Sequence, residues 1–250
     1  MENIIKFLFT ANDKEGLSQK YIDIIIEEIN KLMTLYPKVT VEIVGDCYTY
    51  ELDVYELLKG KLIESKKLEE NKVKEYMRNI KYYKPNFKID INGNKYDTRN
   101  YLAEYNSKER RILFNHTNIK KRLDEITFNF RKEGYIKDIV WHEWGHVLGY
   151  QYSLNKNEEI LKIHKTIDTQ IAKFDIRDER SINNIHEMIA SGFMESEFGY
   201  ESMNLISRKI RGVIDNVVKE SKPMSESEKN RIELNQYINE QLGFDLLKDD

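Results

Sequence analysis

A mostly helical α+β fold with a small mixed sheet is predicted by two patterns in this chain of 250 residues. Long stretches place apolar residues three and four apart, the period that lays them along one face of a helix. Only a few short runs alternate apolar and polar residues or end in turn signals, as strands do. An apolar fraction of 40% is ordinary for a globular protein, and the chain is long enough to bury a sizeable core. The expected organisation is one domain over residues 1–250, with lobes 1–134 and 135–250.

The elements follow in order. Met1–Thr10 carries a short apolar run that reads as a buried strand. Lys14–Tyr36 has Ile22, Ile25, Ile26, Ile29, Leu32 and Met33 at helical spacing and stops at Pro37. Val39–Val44 alternates like a strand closed by Gly45 and Asp46. Glu51–Leu68 and Asn71–Tyr83 read as helices with lysine-rich, solvated outer faces. Phe87–Ile91 precedes the turn signal Asn92-Gly93-Asn94, and Arg110–Asn115 reads as a further strand. Next comes a helix with Ile136, Ile139, Val140, Val147 and Leu148 at helical spacing and Gly134 and Gly149 as punctuation. Helices are expected over Asn157–Lys173, around the stripe Ile182, Ile185, Ile189 and Phe193, and over Met203–Val218 and Ser227–Leu242, the last two joined by a linker at Pro223.

Within the helix after Gly134 lies His142-Glu143-Trp144-Gly145-His146. A helix turns about 100° per residue, so residues four apart share a face and the two imidazoles can serve one metal ion. Glu143, one step around, is placed to take a proton from a water on that ion. Zinc brings the pKa of such a water toward roughly 7, so the pattern matches the needs of hydrolysis. The bland alternative is a pair of surface histidines on a charged helix, which the apolar setting disfavours. Gly145 in a helix interior costs about 1 kcal/mol relative to alanine, which points to close packing or substrate approach at that position.

A catalytic zinc site keeps three protein ligands and leaves a position for water. Glu187 is the leading candidate for the third. It falls off the apolar stripe of its helix, with small Ala190 and Ser191 on the next turn to let that helix approach the first. His164 and His186 are alternatives, each equally readable as a supporting or a surface group. His116 reads as a strand-end residue or substrate contact. A third histidine at position 152 would complete a longer zinc pattern, but Tyr152 stands there. Asp175, Asp178 and Glu179 read as surface or capping groups, one of which could orient a metal-binding histidine. Met188 and Met194 read as ordinary packing.

The two histidines with Glu143, followed some forty residues later by Glu187-Met188-Ile189-Ala190 in an apolar helix, resemble zincin metallopeptidases with a glutamate third ligand. More narrowly, they are similar to the catalytic domain of anthrax lethal factor and related phage-associated or toxin-like peptidases, over about residues 89–199. The resemblance implies a zincin-like fold, zinc held by His142, His146 and Glu187, Glu143 as general base, and a protein or peptide substrate. It also implies an edge strand above the cleft, for which Ile112–Asn115 is the candidate, with an interior strand as the alternative. Phe128, Phe130 and Tyr135 would then pack beneath the cleft or in the core. The chain departs from the family at Ser191, where a second glutamate is expected, and near Arg180, where the family has a transition-state tyrosine. Tyr150, Tyr152, His186 and Tyr200 are the groups that could take over that role.

Composition bounds the remaining readings. A net charge of −3 from interspersed charges gives no nucleic-acid surface. Cys47 is the only cysteine, so no intramolecular disulfide forms, which suits a reducing compartment. The first residues lack the basic lead of a secretory signal, and no apolar stretch is long enough to span a membrane, so a cytoplasmic protein without a membrane partner is expected. Abundant tyrosine and asparagine favour a bacterial or phage origin. The rival functions are a zincin that binds peptides without cleaving them, kept alive by Arg180, and a phage morphogenesis protein with an incidental metal site.

Overall fold

The computed structural model describes residues 5–11, 17–51, 53, 72, 87–89, 95–97, 100–167, 184–198 and 205–223. These residues are mostly helical, with one small mixed sheet, as the α+β expectation requires. Strands β1 (Lys6–Leu8), β2 (Ile43–Asp46), β6 (Arg111–Phe114) and β5 (Ala103–Asn106) lie side by side in that order. The first three are parallel, while β5 runs antiparallel to β6 and forms an edge. A separate antiparallel pair, β3 (Phe87–Ile89) and β4 (Lys95–Asp97), flanks the predicted Asn92-Gly93 turn.

Helix α1 (Gln19–Leu35) buries Ile22, Ile25, Ile29 and Leu32, the stripe its sequence spaces. It stops where Tyr36 donates its N–H back to Leu32 and Pro37 cannot continue the ladder. Helix α2 (His116–Glu125) is capped by Asn115, whose side chain accepts from the Asn118 N–H. Helix α3 (Asn129–Gln151) is followed by a single 3-10 turn (Leu154–Lys156), then by α4 (Glu158–Ile167), α5 (Ile185–Phe198) and α6 (Leu205–Glu220). Val44, Ile112 and Tyr105 share a row across the sheet and join the residues of α1 and α3 in one core.

Two contacts fix α3 in place. Toward α1, the indole N–H of Trp141 donates to the buried Glu28 carboxylate at 2.8 Å and Lys137 meets its other oxygen at 2.9 Å. Burial alone pushes the Glu28 carboxyl up, but the hydrogen bonds from Trp141 and Lys137 overcome it and hold the pKa below the usual value. Toward α5, a Cβ on Gly145 would meet the Ala190 Cα at 2.6 Å, so the two backbones touch. The small residues at 145 and 190 allow the close approach that the sequence suggests.

Several expectations are corrected. Val39–Val44 is a strand only from Ile43, because the Gln151 side chain accepts from the Thr40 N–H and donates to its carbonyl, replacing a neighbouring strand. Gly45 and Asp46 belong to β2 and do not close it; a side chain at 45 would strike Leu8 of β1. Helix α3 runs past both glycines meant to bound it, entering at Asn129 and leaving through Ser153 in a left-handed conformation at φ 49°. Of the two positions left open for the strand at Arg111–Phe114, the interior one holds, between β2 and β5. His116 opens α2, a helix with only Ile119 and Leu123 as a buried apolar signal. Phe128 and Phe130 neither pack beneath a cleft nor fill the core: they are 56% and 70% exposed, while Tyr135 packs against the core. The expected helices Glu51–Leu68, Asn71–Tyr83 and Ser227–Leu242 lie almost wholly outside the described residues, as does the far end of Asn157–Lys173. Among the described residues no helix is long and apolar enough to cross a membrane.

The two glycines of α3 give opposed predictions. Gly145→Ala, which has only backbone to push against, should lower stability by roughly 1–3 kcal/mol despite alanine's helix propensity. Gly134→Ala meets nothing within 4 Å and should raise stability by about 0.5–1 kcal/mol. Urea midpoints of the two variants measure both, and a Gly145→Ala protein as stable as wild type would refute the close approach of α3 to α5.

Candidate metal centre

His142 and His146 lie one turn apart on α3, their ring centroids 4.9 Å from each other. Glu187 reaches them from the first turn of α5, whose start is organised by Asn184: its side chain accepts from the His186 N–H and its carbonyl from the Met188 N–H. The Glu187 carboxylate places one oxygen 3.3 Å from Nε2 of His142 and the other 3.6 Å from Nε2 of His146. Ligand bonds of about 2.0–2.2 Å in a tetrahedron put neighbouring ligand atoms about 3.3–3.6 Å apart. One ligand atom from each of the three residues falls within 4.8 Å of the others, so the group is able to hold a metal ion. All three side chains keep partial access to solvent, at 22%, 13% and 29% exposure, so the centre opens outward.

Glu143 is far more deeply buried than Glu187. It is 5% exposed and lies against β5, and its Oε2 is buried with no hydrogen-bond partner. Burial pushes its pKa up to about 7; the charge of His142 opposes this, Glu187 and Glu104 reinforce it, and the Tyr105 backbone N–H favours the charged form. His146 is held down at about 4 by burial, with His142 acting in the same direction and Glu187 against it. The ring is therefore neutral near pH 7, the form that offers a nitrogen lone pair to a metal.

The other sequence candidates fall elsewhere. His186 stacks flat on Tyr150, with centroids 4.7 Å apart and planes 12° apart, and is not part of the ligand group. Burial lowers its pKa, against the pull of Glu187. His164 sits half-buried on α4, and His116 stands 3.6 Å from Asp46 at the start of α2. Tyr152 caps α3 with its hydroxyl buried and without a partner, and burial raises its pKa. Met188 is packed in the core and Met194 against it, as expected. Tyr200, Arg180, Asp175, Asp178 and Glu179 lie outside the described residues.

Sequence reasoning missed β5, which brings Glu104 and Tyr105 to the centre. A usable signal was present: Asn106 accepts from the N–H groups of Lys108 and Glu109, an Asx turn that leads through Arg110 at φ 48° into β6. No known protein family, curated protein or solved structure matches the chain.

The buried carboxyl couples to stability in the metal-free protein. Because the Glu143 pKa is raised, its contribution to stability is full below about 4.5 and is lost as pH rises to about 7. The depressed His146 pKa acts oppositely, with stability lost as pH falls from 6.5 toward about 4. Comparing wild type with Glu143→Gln isolates the first effect. The variant should gain about 3 kcal/mol at pH 8 and little at pH 5. Urea unfolding in chelator at the two pH values tests this; a gain independent of pH would contradict the raised pKa.

Proposed function

We propose that the chain is a zinc-dependent metalloendopeptidase of zincin-like fold, with His142, His146 and Glu187 as ligands and Glu143 as general base. The observation that carries this reading is the pairing of a His/His/Glu ligand group with a buried carboxyl, one oxygen of which lacks a hydrogen-bond partner, one residue from the first ligand. Two nitrogen donors and one carboxylate form a donor set that suits zinc and leaves a fourth position free. When bound, zinc supplies Lewis acidity to a water and to the substrate carbonyl.

The chain's own groups account for the rest. A buried carboxyl whose pKa is raised by burial accepts a proton from the attacking water and later gives it to the leaving amine nitrogen. The edge strand β5 offers backbone groups with which an extended peptide can pair, beside Glu143. This replaces the Ile112–Asn115 segment in that role. The resemblance to glutamate-ligand zincins of the lethal-factor type belongs to the same proposal, supported by the same residues on two packed helices.

The test is metal analysis and peptide-library cleavage with the full chain. Wild type should carry near-stoichiometric zinc and cleave peptides. Glu143→Gln should keep the metal and lose activity by roughly 100-fold or more, and Glu187→Ala and Glu187→Gln should lose both. Cleavage by Glu143→Gln at the wild-type rate would remove the general base from the mechanism. Zinc without cleavage in any form would favour a peptide-binding zincin.

A further inference from the structure

We propose that Tyr150 and His186 form a positioning pair that aims the Glu187 carboxylate at His142 and His146 and so tightens the hold of the centre on zinc. The inference rests on the metal-centre reading above and adds two residues to it. Tyr150 lies four residues beyond His146, so the face of α3 that carries the two histidines continues through it. His186 lies immediately before Glu187 on the first turn of α5. The two rings meet face to face across the helix pair, 4.7 Å apart and nearly parallel.

A ligand on the first turn of a helix needs such support. The leading N–H groups of a helix lack partners within it, and helix ends fray. Asn184 closes the backbone of this turn but does not set the rotation of α5 about its axis. Contacts across the helix pair set it: the Ala190 backbone against Gly145 one turn later, and the His186 ring on Tyr150 at the start. Since neighbouring residues diverge by about 100° around a helix, holding His186 over Tyr150 directs Glu187 toward the histidines. The 3.3 and 3.6 Å separations are the outcome. His186 therefore serves the centre through its flat face, not as a ligand.

Zinc affinity by competition with a chromophoric chelator, together with the visible spectrum of the cobalt-loaded full chain, tests the pair. His186→Ala and Tyr150→Ala should each weaken zinc binding roughly tenfold or more and alter the cobalt bands, with far-ultraviolet circular dichroism unchanged. His186→Phe and Tyr150→Phe, which preserve the stack, should bind as wild type does. Wild-type affinity in both alanine variants would overturn the proposal. So would a loss in His186→Phe equal to that in His186→Ala, since the imidazole itself would then be required. A Glu187→Ala protein that binds zinc as tightly as wild type would instead overturn the ligand set, and the pair with it.

Discussion

The contact of α3 with α5 at Gly145 and Ala190 is the constraint on which the centre depends. One turn of α3 carries His142 and His146 on either side of Gly145, and α5 carries Glu187 three residues before Ala190. Only when the backbones touch between these positions do carboxylate oxygens come within 3.3 and 3.6 Å of the imidazole nitrogens. A side chain at 145 would separate the helices, and the three donors could no longer share one ion.

That contact needs α3 to be immobile, and the surrounding core provides this. Trp141, one residue before His142, is fully buried, stacks on Phe193 of α5 at 5.3 Å and is anchored to Glu28 of α1. A buried carboxylate is costly without partners, and here the indole N–H and the Lys137 ammonium supply them. The ring therefore links three helices directly behind the surface that carries the two histidines. Gln151 performs a related task at the far end of α3, bonding both backbone groups of Thr40.

Burial then separates two glutamates that are chemically identical. Glu187 stays partly exposed at the start of a helix, where the dipole favours a charged carboxylate and a metal can reach it. Glu143 is enclosed by the sheet edge, and loss of water lifts its pKa to about 7. The sheet contributes through β5, the element that sequence pattern did not disclose. Four residues with one buried side chain carry too little alternation to stand out, and pairing with β6 supplies what local propensity lacks. The same limitation explains α2, whose asparagine cap and two buried apolar residues are weak local signals, and the misplaced ends of α3, where a glycine facing Ile189 and another in open space looked like punctuation.

What the sequence by itself determined is the local periodicity: the helical face shared by His142 and His146, the offset of Glu143 from it, the stripe of α1, and the small residues that permit α3 and α5 to approach. These follow from bonds within one helix and from side-chain size, which a linear pattern records. What only the tertiary structure decided is which strand forms the sheet edge, that His186 stacks on Tyr150 and lies outside the ligand group, that Phe128 and Phe130 face solvent, and how deeply Glu143 is buried. Each depends on segments distant in the chain meeting in space, and the energy of such contacts is set by the partner, not by the residue alone.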